Sequence, residues 1–180
     1  MTAPHLTPSR LDELVAQARD LPRRRLHLNL HAGPDEPCQR LINAMEPDSY
    51  IPPHRHAEHT TNECLLALRG VFALIVFDET GTPLRALQFG GPDADLEVVE
   101  LAPTTWHTVI ALETGSVLFE TKSGPYRVAS AKVAAPWAPP ENDPAVETYL
   151  SALTAWARDQ LGARRAGERP APLQPRPIEL

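Results

Sequence analysis

The stretch Pro53-His54-Arg55-His56-Ala57-Glu58-His59-Thr60-Thr61-Asn62-Glu63, running on to Gly70, decides how this chain is read. Successive side chains of an extended strand point to opposite faces, so His54 and His56 share one face. Glu63, seven positions beyond His56, can reach the same point from the next strand. A fourth donor comes much later, His107 in Pro103-Thr104-Thr105-Trp106-His107. Three imidazoles and one carboxylate converging inside a β-sandwich form a nitrogen/oxygen site for a divalent transition metal. Any one of these residues alone reads as an ordinary core or surface side chain. Together they do not, because burying an ionised Glu63 without a partner costs several kcal/mol and a cation removes that cost.

Around this stretch the chain alternates in the manner of short strands. Arg25 to His31 sets Leu26, Leu28 and Leu30 on one face, with His27, Asn29 and His31 on the other as surface or dimer-contact residues. Further strands are expected at Cys38 to Met45, Cys64 to Arg69, Val71 to Phe77, Leu84 to Phe89, Leu96 to Leu101, Trp106 to Leu112 and Ser116 to Lys122. Turn residues such as Asp78-Glu79-Thr80-Gly81 and Gly90-Gly91-Pro92 separate them. This spacing indicates an all-β sandwich or barrel rather than alternating βαβ units. Two helices flank it. The first has Ser9 as cap with Asp12 three positions on, an apolar face of Leu11, Leu14, Val15 and Ala18, and a stop at Pro22. The second starts at Asp143-Pro144, buries Val146, Tyr149, Leu150, Leu153 and Ala157, and ends at Gly162. The organisation is then an N-terminal helical arm (1–24), a β-barrel (25–135), a C-terminal helix packed on it (136–162) and a disordered tail (163–180).

Composition bounds the function. At 180 residues the chain is long enough to bury one core. A net charge of −6 argues against nucleic acid as partner, since phosphate binding needs a basic face. The basic clusters Arg23-Arg24-Arg25 and Arg164-Arg165 read as solvated surface. Cys38 and Cys64 do not form a Cys-x-x-Cys pair, so neither a disulfide framework nor a thiolate metal site is indicated and a reducing compartment is expected. Cys64 follows Glu63 and points to the opposite face as a buried thiol. No apolar run approaches membrane-spanning length, so the expected setting is soluble and cytoplasmic.

His54-x-His56, Glu63 and Gly70 resemble the first motif of the cupin superfamily, and Pro103 to His107 resembles the second. The resemblance is closer to the WbuC-type cupin-fold metalloproteins. It runs through Cys38-Gln39-Arg40, Ser49-Tyr50-Ile51-Pro52-Pro53-His54-Arg55-His56, Trp106-His107-Thr108, Gly124-Pro125-Tyr126 and Ala135-Pro136-Trp137-Ala138-Pro139. It implies an all-β, single-domain cupin jelly roll with one divalent metal ion (iron, manganese, zinc or nickel) on His54, His56, Glu63 and His107, often as a homodimer. Three departures stand out. The loop between His56 and Glu63 is longer than in most cupins and holds Glu58 and His59, either of which could replace Glu63 as ligand. Thr104 replaces the usual glycine of the second motif, and Ala111 its usual asparagine.

Tyr50 and Trp106 are expected as walls of the cavity. Glu120 and Lys122, at strand spacing, and Tyr126 are candidates for contacting a small-molecule substrate, with an outward ion pair as the alternative for Glu120 and Lys122. Gln39, Arg40 and Asn43 share that ambiguity. The functional expectation is a small-molecule metalloenzyme, an oxygenase or isomerase, with a sugar or polysaccharide-pathway substrate implied by the resemblance. The alternative is a non-catalytic metal-dependent binding or sensor protein.

Overall fold

The computed structural model describes residues 6–56, 62–127 and 132–165, with side chains to Ala163. Two five-stranded sheets face each other. The first has the order β1 (Arg25–Asn29), β2 (Cys38–Met45), β9 (Ser116–Ser123), β4 (Glu63–Arg69) and β7 (Val99–Leu101). The second has the order β10 (Val133–Ala134), β3 (His54–Arg55), β8 (His107–Ala111), β5 (Phe72–Phe77) and β6 (Pro83–Phe89). Each recorded strand pairing within these sheets is antiparallel. Successive strands cross repeatedly from one sheet to the other, which is a jelly-roll arrangement.

Three apolar clusters hold the layers together. Between the sheets lie Phe72, Phe89, Leu65, Leu74, Leu118 and Val109 with their neighbours. On the outer face of the first sheet, α1 (Pro8–Asp20) sets Leu14, Val15 and Ala18 against Ile42, Ala44 and Val117. On the outer face of the second, α2 (Val146–Arg165) sets Leu150, Leu153, Ala157 and Leu161 against Ile75, Phe77 and Ile110. A strand covered on both faces loses the polar positions of an alternating pattern. This accounts for Phe72-Ala73-Leu74-Ile75-Val76-Phe77 and for β8, every residue of which is buried. Phe72 is fully buried and stacks on Phe89 with ring centroids 5.3 Å apart. Phe72→Ala should therefore lower unfolding stability by about 3–5 kcal/mol, read from urea denaturation. Gly70 has a φ of +73°, and an added Cβ would land on the Ser116 side chain, so the turn between β4 and β5 requires glycine.

Several local expectations shift. The cap of α1 is Thr7 rather than Ser9: Thr7 Oγ1 accepts from the Arg10 N–H at 3.2 Å, and Pro8 occupies the first turn. Asp12 pairs with Arg69 at 2.5 Å instead of completing a capping box. The Asp143 carboxylate accepts from the Ala145 N–H at 2.8 Å, and α2 begins at Val146. It does not stop at Gly162 but continues to Arg165. Gly162 keeps helical backbone there at a cost of only about 1 kcal/mol relative to alanine. Residues 166–180, most of the tail expected beyond 163, lie outside the described residues. Arg25 is not solvated surface: its side chain is 10% exposed, donating to Glu141 Oε1 at 2.5 Å and to Tyr50 O at 2.6 Å. No described helix is long and apolar enough to cross a membrane.

Candidate metal centre

The donors come from both sheets. His54 lies on β3 directly opposite His107 on β8, so their side chains share the inner face of the second sheet. His56, two positions after His54, points the same way. Glu63 opens β4 on the facing sheet. One ligand atom from each of these four residues lies within 4.8 Å of the other three, and all four residues are buried. They can hold a metal ion. Glu58 and His59 lie outside the described residues.

The backbone fixes which imidazole nitrogen faces inward. His54 Nδ1 lies 3.0 Å from Pro52 O, and His107 Nδ1 lies 2.9 Å from Thr105 O. A carbonyl oxygen only accepts, so each Nδ1 carries the proton and each Nε2 presents a lone pair to the centre. Metal-binding histidines are oriented in this way. The consequence is sharp at His107. Its Nε2 faces Glu63 Oε2 at 3.2 Å, while His56 Nε2 is 3.0 Å from that same oxygen. A neutral imidazole lone pair against a carboxylate oxygen is repulsive unless a proton or a cation lies between them. This donor set fits a cation.

Electrostatics agree. Burial, then the neighbouring His107 and Lys132, lowers His54 well below the usual histidine range, which keeps it neutral and free to ligate. Burial alone would raise Glu63. The adjoining His107 and His56 rings and the charge of Lys122 outweigh it and hold Glu63 well below the usual carboxylate range. Lys122 Nζ is 3.5 Å from Glu63 Oε1 and also bonds Glu120 Oε1. Burial lowers the Lys122 ammonium, but the charges of Glu120 and Glu63 more than offset that and raise it. Glu120 is pushed up to about 7 by burial and by the Glu63 charge, and Asn43 Nδ2 donates to its Oε2 at 3.3 Å. Beneath the four donors lies a chain of polar groups: Glu63, Lys122, Glu120 and Asn43.

The structure sorts the sequence-based candidates. Glu120 and Lys122 point inward because they stand level with Leu65 and Glu63 on β4. Asn43 points inward as well. Gln39 braces the turn before β2, its Nε2 donating to Glu36 O at 2.8 Å, and Arg40 pairs with Glu36 on the outer side. Tyr50 and Trp106 do not line the site. Trp106 precedes His107, so alternation sends it to the outer face, where both aromatics pack in the cluster beneath α2. The Tyr50 hydroxyl donates to Pro139 O at 2.8 Å, and Trp106 Nε1 donates to Glu79 Oε2 at 3.0 Å. Tyr126 is 42% exposed, its backbone N–H donating to Pro34 O at 2.6 Å. His31 is half-buried and its Nδ1 accepts from the Arg40 N–H at 3.0 Å, bracing β1 against β2. Cys64 is a half-buried thiol on the outer face, raised by burial and then by Glu100.

The two motif departures also resolve. The Thr105 N–H donates to Ala102 O at 3.1 Å, closing a β-turn with Pro103 and Thr104 at its centre. Arg24 is the only described non-glycine residue at positive φ, so Thr104 fits this turn without glycine's freedom. Ala111 lies in the core between the sheets, opposite Phe72, where an amide would have no room for partners.

A family model described as a domain of unknown function (DUF6016) matches residues 6–89. A search of curated protein sequences finds no match. Among solved structures, the chain is similar to protein SO0799 from Shewanella oneidensis, with a TM-score of 0.51, 9% identity, 81% of this chain and 87% of that chain covered. It is also similar to KdgF from Halomonas sp. (TM-score 0.42, 18% identity, 58% of this chain and 82% of that one). A third similar structure is the Lactobacillus farciminis oxalate decarboxylase (TM-score 0.43, 14% identity, 55% of this chain). The chain spans 27% of that decarboxylase. At these identities the likeness to the solved structures is one of fold alone.

Proposed function

We propose that this chain is a cupin-fold metalloprotein of the WbuC type that holds one divalent transition metal on His54, His56, Glu63 and His107. The observation that carries the reading is the convergence of four buried donors from two sheets within 4.8 Å. Iron, manganese, zinc and nickel all suit three imidazoles and a carboxylate. A six-coordinate ion on four protein ligands keeps two positions for water or substrate, so the site suits catalysis on a small molecule better than closed structural ligation. When bound, such an ion acts as a Lewis acid toward an oxygen-bearing ligand.

The chain supplies the rest. The Glu120 carboxyl, buried beside the site and pushed up to about 7, can hold or release a proton at neutral pH. Lys122 holds Glu63 and Glu120 in place from below. An oxygenase or isomerase fits these parts, and a sugar or polysaccharide-pathway substrate follows from the WbuC resemblance. The barrel over 25–135, with its helical arm and C-terminal helix, then acts as one unit, as a homodimer in the cytoplasm.

Cobalt titration tests the reading. One equivalent of Co(II) should give visible d–d bands, and an absence of bands in the parent protein would refute it. Retention should also depend on pH in a defined direction. The ligating histidines must be neutral, and the lowered pKa of His54 lets it resist protonation longer than a free imidazole. Affinity should therefore hold through neutral pH and fall below about pH 6.5. A chelator competition giving the same affinity at pH 7.5 and pH 5 would contradict histidine ligation.

A further inference from the structure

The segment that carries two of the four donors is thinly held by its own sheet. β3 has two residues, and its register with β8 is a single pair, His54 opposite His107. On its other side lies β10, also two residues long and exposed. Upstream of His54 the chain is tied down, since the Thr108 hydroxyl donates to Ile51 O at 2.6 Å and the Ala135 N–H to Pro53 O at 2.8 Å. Downstream the strand ends at Arg55, and residues 57–61 lie outside the described residues.

Arg55 stands between the two histidines, so alternation sends its side chain to the outer face. Trp106, which precedes His107, is turned to that same face. There the Arg55 guanidinium carbon lies 4.5 Å from the centre of the Trp106 ring. Arg55 Nη1 lies 3.3 Å from both Glu79 carboxylate oxygens, and Trp106 Nε1 donates to the same carboxylate at 3.0 Å. Two of the three have anchors of their own. Trp106 is 5% exposed, its ring edge-on to Trp137 at 6.0 Å and its carbonyl accepting from the Phe77 N–H at 3.0 Å. Glu79 sits in the turn between β5 and β6, which Asp78 Oδ1 closes by accepting from the Thr80 and Thr82 N–H groups at 2.8 and 2.9 Å. The Arg55–Glu79 pair alone contributes little, because the Glu79 side chain is 76% exposed. The guanidinium over a buried indole is the stronger contact, and Glu79 keeps both partners in register.

We infer that Arg55, Glu79 and Trp106 form a clamp on the outer face of the second sheet that presets the donor cluster, tying the residue between His54 and His56 to the residue before His107. All three are positioning residues, since their side chains lie across the sheet from the imidazoles. With the clamp closed, the imidazoles stand in place before an ion arrives. Without it the downstream end of the His54–His56 segment loosens, and binding must first reorder it. The inference rests on the metalloprotein reading for what the imidazoles grip. The clamp itself is a contact of the protein alone.

Cobalt affinity of the full-length protein, by chelator competition, tests it together with amide exchange of the metal-free chain by NMR. Arg55→Met keeps the length and apolar contact of the side chain and removes its charge. Charge alone would make this variant bind a cation as tightly as the parent, or more tightly. The clamp requires the opposite sign, a loss of about five-fold, the scale of one cation–π contact. Arg55→Lys, which keeps a cation over the ring, should recover part of it. Adding Glu79→Ala to Arg55→Met should cost little more than Arg55→Met alone, because Glu79 reaches the segment through Arg55. In metal-free protein the Arg55 and His56 amides should exchange faster in Arg55→Met than in the parent. Equal or tighter cobalt binding by Arg55→Met, with one ion in the parent, would overturn the clamp and keep the metal reading. A parent that binds no cobalt, with faster exchange in Arg55→Met, would do the reverse. Unchanged exchange would overturn the clamp in either case.

Discussion

Lys122→Met is expected to cost the chelator-treated protein about 3–5 kcal/mol of unfolding stability, the scale for stranding a buried charge. Its ammonium lies between two carboxylates, 3.5 Å from Glu63 Oε1 and bonded to Glu120 Oε1. Glu63 and Glu120 are both buried, so without Lys122 two acids face each other and one must take up a proton. Methionine has much the same length as the lysine stem, which confines the loss to the charge. Two further measurements separate electrostatics from packing. Glu120→Gln in the same chain should recover a large part of the loss, because the remaining acid, Glu63, then has no like charge beside it. Zinc loading should shrink the deficit as well, since the ion supplies positive charge to Glu63. Urea denaturation curves for the parent, the single variant and the double variant, stripped and zinc-loaded, decide the matter. A loss below 1 kcal/mol in the single variant would mean that Lys122 balances nothing there.

The second large effect is on metal occupancy. His56→Ala removes one of four ligands from a site whose full complement contributes roughly 10–16 kcal/mol in structural zinc peptides. An equal share is about 3 kcal/mol, or roughly 100-fold in affinity. Elemental analysis of protein from its native host should then find close to one transition-metal ion per parent chain and little in the variant. His31→Ala is the control. That histidine braces β1 through the Arg40 N–H and stands away from the cluster, so its loss should leave metal content intact. Equal metal in parent and His56→Ala would remove His56 from the ligand set.

Much of this architecture was legible because its signals are local. The strand Cys38–Met45 has the bounds its alternation indicates, and Leu14, Val15 and Ala18 are the buried face of α1 as their spacing implies. The four donors were legible too, since the pleat fixes the direction of His54 and His56 before any partner strand is known. What stayed hidden depends on neighbours. β3 and β10 have two residues each, too short to show any period. Glu120 and Lys122 alternate equally well outward or inward, and the choice was made by Leu65 and Glu63 on β4. Trp106 and Tyr50 carry the size and polarity of cavity walls, yet the helix that covers the second sheet recruits them to its underside.

The origin of the donors has a mechanical consequence. Three hang from one sheet and the fourth from the other, and much of the packing between those sheets is apolar side chains without directional bonds. An ion gripped by all four would rivet the two halves of the sandwich together. Prising them apart would then mean breaking a coordination bond, so amide protons of β4 and β8 should exchange with solvent more slowly in loaded protein than in stripped protein.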